Sequence, residues 1–374
     1  MIIAIDASNI IMESGGYIHL KNILTKFDEK KISKLYLFSS KQIISELNIK
    51  NKKIITLTHE YLNKGLVYRI IWQIFLLNNI LKKLKCSALF IPGGYFFFKK
   101  ISTFILIQNL LPFIKKPKYH ESISRKFKNI ILDYLHTKSV KRSDGVIFLS
   151  NYSKKFFISY NVPKVVIPHG IEDQFFKKKN FFPPPKKNKL KILYLSKLEG
   201  YKNHKNIVLA IYELLKKDYI ISLTLVGLEQ LAKKDLKLFN LIKKINKYYP
   251  NSIILRRLEK HDYIHKIYRN YDLHVFGSMC EAFGIIILET IASSLPIVCN
   301  NFPVFKEILN EHTLYFNAQN PKNISFTIEK YIKNPTLKVR NTKKLFKISK
   351  KFKWETTSKA TFNFIVNNTK KVKD

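Results

Sequence analysis

Short apolar runs alternate with longer amphipathic stretches from the first residue of the chain onward. MIIAID, SKLYLFSS, KKIITL, SALFIPGG, STFILIQN, GVIFLS and KVVIPHG each read as a strand that runs into a polar or glycine turn. The segments between them have helical length and period, which is the α/β order of a parallel sheet covered by helices. After Phe176 the pattern stops. KKKNFFPPPKKNK, residues 177–189, is a lysine and proline stretch that neither a helix interior nor a central strand tolerates. The pattern then restarts: LKILYLSK, ISLTLVG, NSIILRR, YDLHVFGS and PIVCNN predict strands. NHKNIVLAIYELLKK, EQLAKKDLKLFNLIKKINKYY, HDYIHKIYRN and GIIILETIASS predict the helices between them. The expected organisation is a first α/β domain over 1–176, a linker over 177–189, a second α/β domain over 190–350 and a closing segment over 351–374. No repeat of 20 to 50 residues points to a solenoid. Ligands of such sheets bind outside the carboxyl ends of the strands, so the loops there are where chemistry is sought.

Composition narrows the class. With 374 residues, 46% apolar and 13% aromatic, the chain is globular and long enough for two cores. Cys86, Cys280 and Cys299 are far apart and form no CxxC, which argues against a disulfide framework or a zinc ribbon and suits a reducing compartment. Met1 leads straight into IIAID without a basic leader or a small-residue cleavage site, so a cytoplasmic location is expected. The longest apolar candidate, LVYRIIWQIFLLNNILKKLK from Leu66, is interrupted by Arg69, Gln73, Asn78 and Asn79. It falls short of the roughly 18 uncharged apolar residues of a membrane span and predicts a domain helix. The net charge of +41 comes from sixty lysines and only seven arginines, strung along the chain in short pairs. Base or phosphate recognition favours arginine-rich, aromatic-interleaved clusters, and none is present, so specific nucleic-acid binding is not expected. A general bias toward Lys, Ile and Asn accounts for the charge, and attraction to an anionic membrane surface is a second reading.

Candidate chemistry concentrates in SMCEAFGIIILETIASSLPIVCN, residues 278–300. Glu281 falls in the loop after a strand, and Glu289 about a turn and a half into the following helix. Gly284 removes bulk where that helix begins, so the N–H groups of Phe283, Gly284 and Ile285 can face a ligand. A helix start with unsatisfied donors and a positive dipole end suits an anion, and a diphosphate fits. Carboxylates beside phosphates are better used on neutral hydroxyls, so Glu281 is assigned to sugar hydroxyls and Glu289 to a ribose. An ordinary loop carboxylate and an exposed helix charge are the bland alternatives.

The stretch SMCEAFGIIILETIASSLPIVCNNFPVFKEI resembles the signature of family 4 retaining glycosyltransferases, which have the GT-B fold. In that signature E-x7-E lies between a "PS" strand end and a "G-x-P-V-V" strand. Glu281 and Glu289 match its glutamates, Phe283 and Gly284 its central FG, Ser278 its serine, Pro296, Ile297 and Val298 its following strand, and Glu307 its later acid. Gly277 stands where the family usually has proline, and Ser294 where a helix-ending glycine is common, which predicts a looser or differently capped helix end. MESGGYIHLKNIL resembles the family's first-strand loop, whose paired glycines, here Gly15 and Gly16, let backbone approach the donor phosphates. SVKRSDGVIFLSNYSKKFF, with Asp144 and Ser150, and KVVIPHGIEDQFF, with Gly170 and Phe175 or Phe176, resemble later family segments. KFKWETTSKATFNF resembles the helix that returns to the first domain, with Trp354 a packing residue. LYLSKLEGYKNHKN resembles "G-R-x-x-x-x-K": Lys197 and Lys202 fit the spacing, with lysine in place of the arginine. Lysine can neutralise a diphosphate but cannot make arginine's bidentate fork.

The resemblance implies an α/β GT-B fold, two Rossmann-like domains facing a central cleft with a C-terminal helix returning to the first. It implies a metal-independent, retaining hexosyltransferase without a cofactor, whose donor is a UDP- or GDP-linked sugar and whose acceptor is a saccharide, lipid-linked in cell-envelope synthesis. A basic face would suit such an acceptor, with the protein peripheral on the cytoplasmic side of the inner membrane. Glu281, Lys202 and Lys197 are then the catalytic set. Gly15, Gly16, Phe283, Gly284, Ile285 and Glu289 bind the donor, and Gln108 and Asn109 face the acceptor where many relatives place a histidine. His120 and His169 are alternative histidines. His261 and His265 have i, i+4 spacing, but HDYIH lacks the HExxH glutamate, so no metal is expected. Two other classes stay open: a non-catalytic sugar-nucleotide or polyanion-binding protein, and a sugar-nucleotide epimerase.

Overall fold

The computed structural model describes residues 1–97, 100–114, 122–176, 190–258 and 260–370. The expected linker 177–189 and His120 lie outside the described residues. The chain forms two compact units. One is built from the described residues of Met1–Lys115, Ile123–Gly170 and Phe352–Asp374, the other chiefly from those of Ile171–Lys351.

The first unit holds a parallel sheet of seven strands: β1 (Ile2–Asp6), β2 (Lys34–Phe38), β3 (Ile54–Leu57), β4 (Ala88–Ile91), β5 (Ser102–Ile107), β6 (Gly145–Phe148) and β7 (Lys164–Val166). Their spatial order is β3-β2-β1-β4-β5-β6-β7. Strands β4, β5 and β6 are buried at every position, as strands covered on both faces must be, which is why ALFI, FILI and GVIF show no polar alternation. Ser14 caps the first helix, Gly15–Thr25, by accepting from the Tyr17 N–H, and Ser150 forms a capping box with Ser153. The closing helix, Trp354–Asn368, packs in this unit against Gly15–Thr25. Trp354 is 2% exposed, and a Cβ on Gly170 would lie 2.2 Å from its backbone nitrogen, so only glycine permits that approach.

The second unit holds six parallel strands: β8 (Leu190–Leu195), β9 (Ile221–Val226), β10 (Ile253–Arg256), β11 (Leu273–Phe276), β12 (Ile297–Asn300) and β13 (Leu314–Phe316), in the order β10-β9-β8-β11-β12-β13. Both units are therefore doubly wound, Rossmann-like sheets. Two local details differ from the periodicity. The helix expected over EQLAKKDLKLFNLIKKINKYY breaks at Asp235 into Leu231–Lys234 and Leu236–Tyr248. The Asp235 carboxylate accepts from the Leu238 N–H at 2.9 Å, so the acid caps a new helix rather than continuing the old one. Strand β13 was not expected, because three residues are too few to show alternation. The helix from Leu66 contains a π-turn over Trp72–Leu76. No helix among the described residues is long and apolar enough to cross a membrane.

Candidate active site

In the second sheet the chain reverses direction of growth at β8, which lies between β9 and β11. Loops leaving adjacent strands on opposite sides of such a point form a crevice at their carboxyl ends. The two segments singled out in the sequence leave those strands. After β8 the chain makes a 3-10 turn, Gly200–Lys202, and Asn203 with φ of +61° turns it into the helix His204–Leu215. After β11 it passes through Gly277–Phe283 into the helix Ile285–Ala292. The Met279 N–H donates to the Tyr201 carbonyl at 2.8 Å, and the Asn300 amide at the end of β12 donates to the Ser278 carbonyl at 3.0 Å. Both loops are thus fixed by hydrogen bonds to their backbone carbonyls.

That fixing brings Lys202 and Glu281, 79 residues apart, into a direct ion pair whose side chains are only 12% and 16% exposed. The Lys202 ammonium also lies 5.1 Å from the Tyr201 ring centroid and 5.6 Å from that of Phe276. The buried Tyr194 hydroxyl donates to the Lys202 carbonyl. Lys197 sits exposed on the same β8 exit loop.

Gly284 adopts φ of +103°, a conformation closed to side-chain-bearing residues, and so delivers the chain into the helix Ile285–Ala292. The first bonds of that helix are donated by Ile287 and Leu288 to the Gly284 carbonyl. The N–H groups of the residues before them point out of the helix start, the disposition an anion requires. Phe283 is 4% exposed and seats the turn in the core. Gly277 replaces the expected proline. A Cβ there would sit 2.8 Å from Ile207 Cδ1, so the site has no room for a larger residue unless Ile207 moves.

The far end of this helix is differently capped rather than looser. Ser294 does not loosen it: with φ of +55°, Ser294 donates to the Ile291 carbonyl at 3.2 Å and Leu295 to Thr290 at 3.1 Å, the closure a glycine would make. A left-handed non-glycine residue costs about 1–2 kcal/mol, and glycine's extra unfolded freedom offsets about half of that. Ser294→Gly is therefore expected to raise the unfolding free energy by about 0.5–1 kcal/mol. Urea melts of the two proteins check this, and a lowered midpoint would contradict the strain argument.

Glu289 is 3% exposed and is not a solvated helix charge. Its Oε1 lies 2.7 Å from His261 Nε2, and its Oε2 accepts from the Tyr268 hydroxyl at 2.9 Å. The other nitrogen of His261 is 3.7 Å from Glu172 Oε1. Burial alone would push the His261 pKa down, but the charge and hydrogen bond of Glu289, with Glu172 and Asp262, outweigh it and hold the ring above its usual value. Burial, then the same carboxylate, pushes the Tyr268 hydroxyl well above the usual tyrosine range. Both Glu289 oxygens keep a second lone pair, so the carboxylate can still accept from a ligand hydroxyl. His261 and Tyr268 were missed as site residues, although their i, i+7 spacing places both on one helix face. Glu172, His261 and Asp262 bring possible metal-ligating atoms within 4.8 Å of one another. Asp262 is exposed, and His261 Nε2 is held by Glu289.

In the first unit, Gly15 and Gly16 form the start of the Ser14-capped helix, and neither has a positive φ. A Cβ on Gly16 would lie 3.1 Å from Ile10 Cδ1 and 3.6 Å from Gln108 Nε2, whereas Gly15 faces open space. The structure thus brings Gly16 and Gln108 together. Gln108 donates to the Pro92 carbonyl at 3.1 Å, and Asn109 Oδ1 accepts from the Leu111 N–H at 3.0 Å, closing a turn. His169 is a core group: it is 4% exposed, its Nδ1 is 3.1 Å from His19 Nδ1, and its ring centroid is 5.5 Å from Trp354.

Residues 175–348 match the family described as Glycosyl transferases group 1. Among characterised sequences, the serotype-specific mannosyltransferase WbdA of Escherichia coli is 31% identical over 71 residues, 19% of this chain and 9% of WbdA. The chain thus spans less than a tenth of that relative. An uncharacterized glycosyltransferase of Methanocaldococcus jannaschii, MJ1607, is 27% identical over 107 residues, 27% of each chain. Three solved structures align over nearly the whole chain. A glycosyltransferase from Rickettsia africae covers 98% of both chains with a TM-score of 0.71 and 16% identity. Sucrose-phosphate synthase from Thermosynechococcus elongatus covers 98% of both at 0.74 and 13%. Anabaena Alr3699/HepE, solved in complex with UDP and glucose, covers 98% of this chain and 99% of its own at 0.70 and 14%. The fold is GT-B.

Proposed function

We propose that this chain is a glycosyltransferase that moves a hexosyl group from a nucleotide-sugar donor to a saccharide acceptor, with retention of configuration and without a metal. The observation that carries the reading is the Lys202–Glu281 pair at the reversal point of the second sheet, next to a helix start opened by Gly284. Departure of a nucleoside diphosphate develops negative charge at the phosphate. An ammonium with three donors can keep Glu281 and still donate to that phosphate, and helix-start N–H groups add fixed positive dipoles. Glu281 then accepts from a sugar hydroxyl, and Glu289, held by His261 and Tyr268, accepts from the ribose. The second unit is the donor side, and the first, with Gln108 and Asn109, the acceptor side. The match to a mannosyltransferase and the UDP and glucose bound to HepE support a sugar nucleotide as donor. A lipid-linked acceptor in envelope synthesis is the finer form of the proposal.

Thermal stabilisation by UDP, GDP, ADP and dTDP tests the donor site. A ligand at about 100 times its dissociation constant adds roughly 2.7 kcal/mol. One nucleotide is expected to raise the melting temperature of the native protein, and Glu289→Gln to lose most of that shift. Equal shifts in both proteins would remove Glu289 from the ribose site, and no shift with any nucleotide would remove the donor site itself.

A further inference from the structure

Five large apolar side chains of the first unit stand in solvent on one helix. Ile123 is 86% exposed, Phe127 65%, Ile130 67%, Ile131 44% and Tyr134 63%. At 3.6 residues per turn they fall within an arc of about 100° on the helix Ile123–Arg142. The buried residues of that helix, His136, Ser139 and Val140, all belong to its carboxyl-terminal part, so among the described residues its first three turns have an apolar face and no core beneath it. A contiguous exposed stripe of this kind marks an interaction surface rather than scattered surface residues.

The charge on the same helix selects the partner. It carries six lysines and arginines against one acid, Asp133, whose Oδ1 accepts from the Thr137 hydroxyl at 3.2 Å. The exposed Lys126 and Lys128 lie on either side of the stripe, where long stems can follow an apolar surface and keep the ammonium groups in water. A second copy of the chain meeting this face would set six cations against six, which disfavours it as the occupant. An apolar stripe edged by cations matches the boundary between acyl chains and anionic headgroups.

We propose that the helix Ile123–Arg142 docks the first unit on a bilayer containing anionic phospholipid, with Phe127, Ile130, Ile131 and Tyr134 entering the acyl boundary. The inference stands on this helix alone and does not require the donor-site assignment.

Cosedimentation of the full chain with vesicles of phosphatidylcholine, with and without phosphatidylglycerol, tests it. The parent is expected to bind the anionic vesicles, more weakly as salt rises. A Phe127→Ser, Ile130→Ser, Tyr134→Ser variant keeps the net charge of +41 and is expected to lose at least about tenfold in binding. Equal binding by parent and variant would mean that overall charge alone adsorbs the protein and would overturn the proposal. A second reading is independent of that variant's folding: Phe127→Trp is expected to shift its emission to the blue on anionic vesicles. Trp72 and Trp354 are 1% and 2% exposed and supply a constant background. Absence of the shift overturns the insertion. A parent dimer dissolved by the triple substitution, with vesicle binding unchanged, would give the stripe to a second copy and overturn it as well.

Discussion

Replacing Lys202 with alanine is expected to lower sugar transfer by about 10²–10³-fold and to weaken nucleoside diphosphate binding, whereas Glu281→Gln lowers transfer without weakening the nucleotide. The two expectations differ because the proposed function gives the two partners different parts of the donor. Lys202→Ala removes the cation and leaves the Glu281 carboxylate, 16% exposed, beside the phosphate site, so a repulsion is added to a lost attraction. Glu281→Gln removes a charge that repels phosphate and frees the ammonium, so diphosphate affinity is kept or increased while the sugar hydroxyl loses its acceptor. Lys202→Arg is expected to fall between them, since the charge survives but the guanidinium plane must fit a space shaped around Tyr201 and Phe276. Calorimetric titration with the free nucleotide and single-turnover rates with the sugar nucleotide separate the two effects. If Glu281→Gln loses nucleotide binding as completely as Lys202→Ala does, the pair is merely a strut between two loops and the division of roles is wrong.

Which parts of this were legible before the structure follows from the range of the forces involved. Strands such as Ala88–Ile91 and Gly145–Phe148 announce themselves because burial on both faces demands an unbroken apolar run. Glu281 and Gly284 were legible because the turn, the glycine and the helix start are neighbours in sequence. The partner of Glu281 was matched only by spacing, and the contact itself depends on β8 and β11 lying side by side, an adjacency that periodicity does not encode. Glu289 was assigned to a ribose without its holders, since His261 and Tyr268 lie 28 and 21 residues earlier and meet it only through helix packing. At Ser294 the sequence leaves a looser or a differently capped end open for a local reason: serine in a left-handed conformation is held there by the two hydrogen bonds around it, against its own preference.

Taking the protein from about pH 7.5 to about pH 5.5 is expected to remove on the order of a few kcal/mol of stability, a sizeable part of the roughly 5–15 kcal/mol of a typical domain. Five histidines among the described residues are buried to 4% exposure or less: His19, His136, His169, His204 and His274. Burial holds His19, His204 and His274 down at about 3, His169 well below its usual value and His136 below it. Their contacts fit neutral rings. His136 Nδ1 is 2.8 Å from the Gly94 carbonyl, an acceptor that requires the ring N–H. The Thr290 hydroxyl donates to the Ile286 carbonyl, so His274 Nδ1, 2.6 Å away, must donate to it, which leaves Nε2 as a bare lone pair. The unfolded chain takes up protons at these rings from about pH 6.5 downward, and the folded chain does not. Their stabilisation is therefore full above that pH and is lost as pH falls, by roughly 1 kcal/mol for each ring that stays neutral over this interval. Two groups run the other way. Burial raises the carboxyl of Asp6, so its protonation favours the fold as pH drops, and His261, raised by Glu289, contributes fully below about pH 6.5 and less above it. Five rings set against two groups leave a net loss. Urea denaturation at the two pH values measures it, and superimposable melts would show that the imidazoles are not held neutral. Because His19, His136 and His169 belong to the first unit and His204 and His274 to the second, the loss must appear in both, and His274→Asn must reduce the proton uptake of the second alone.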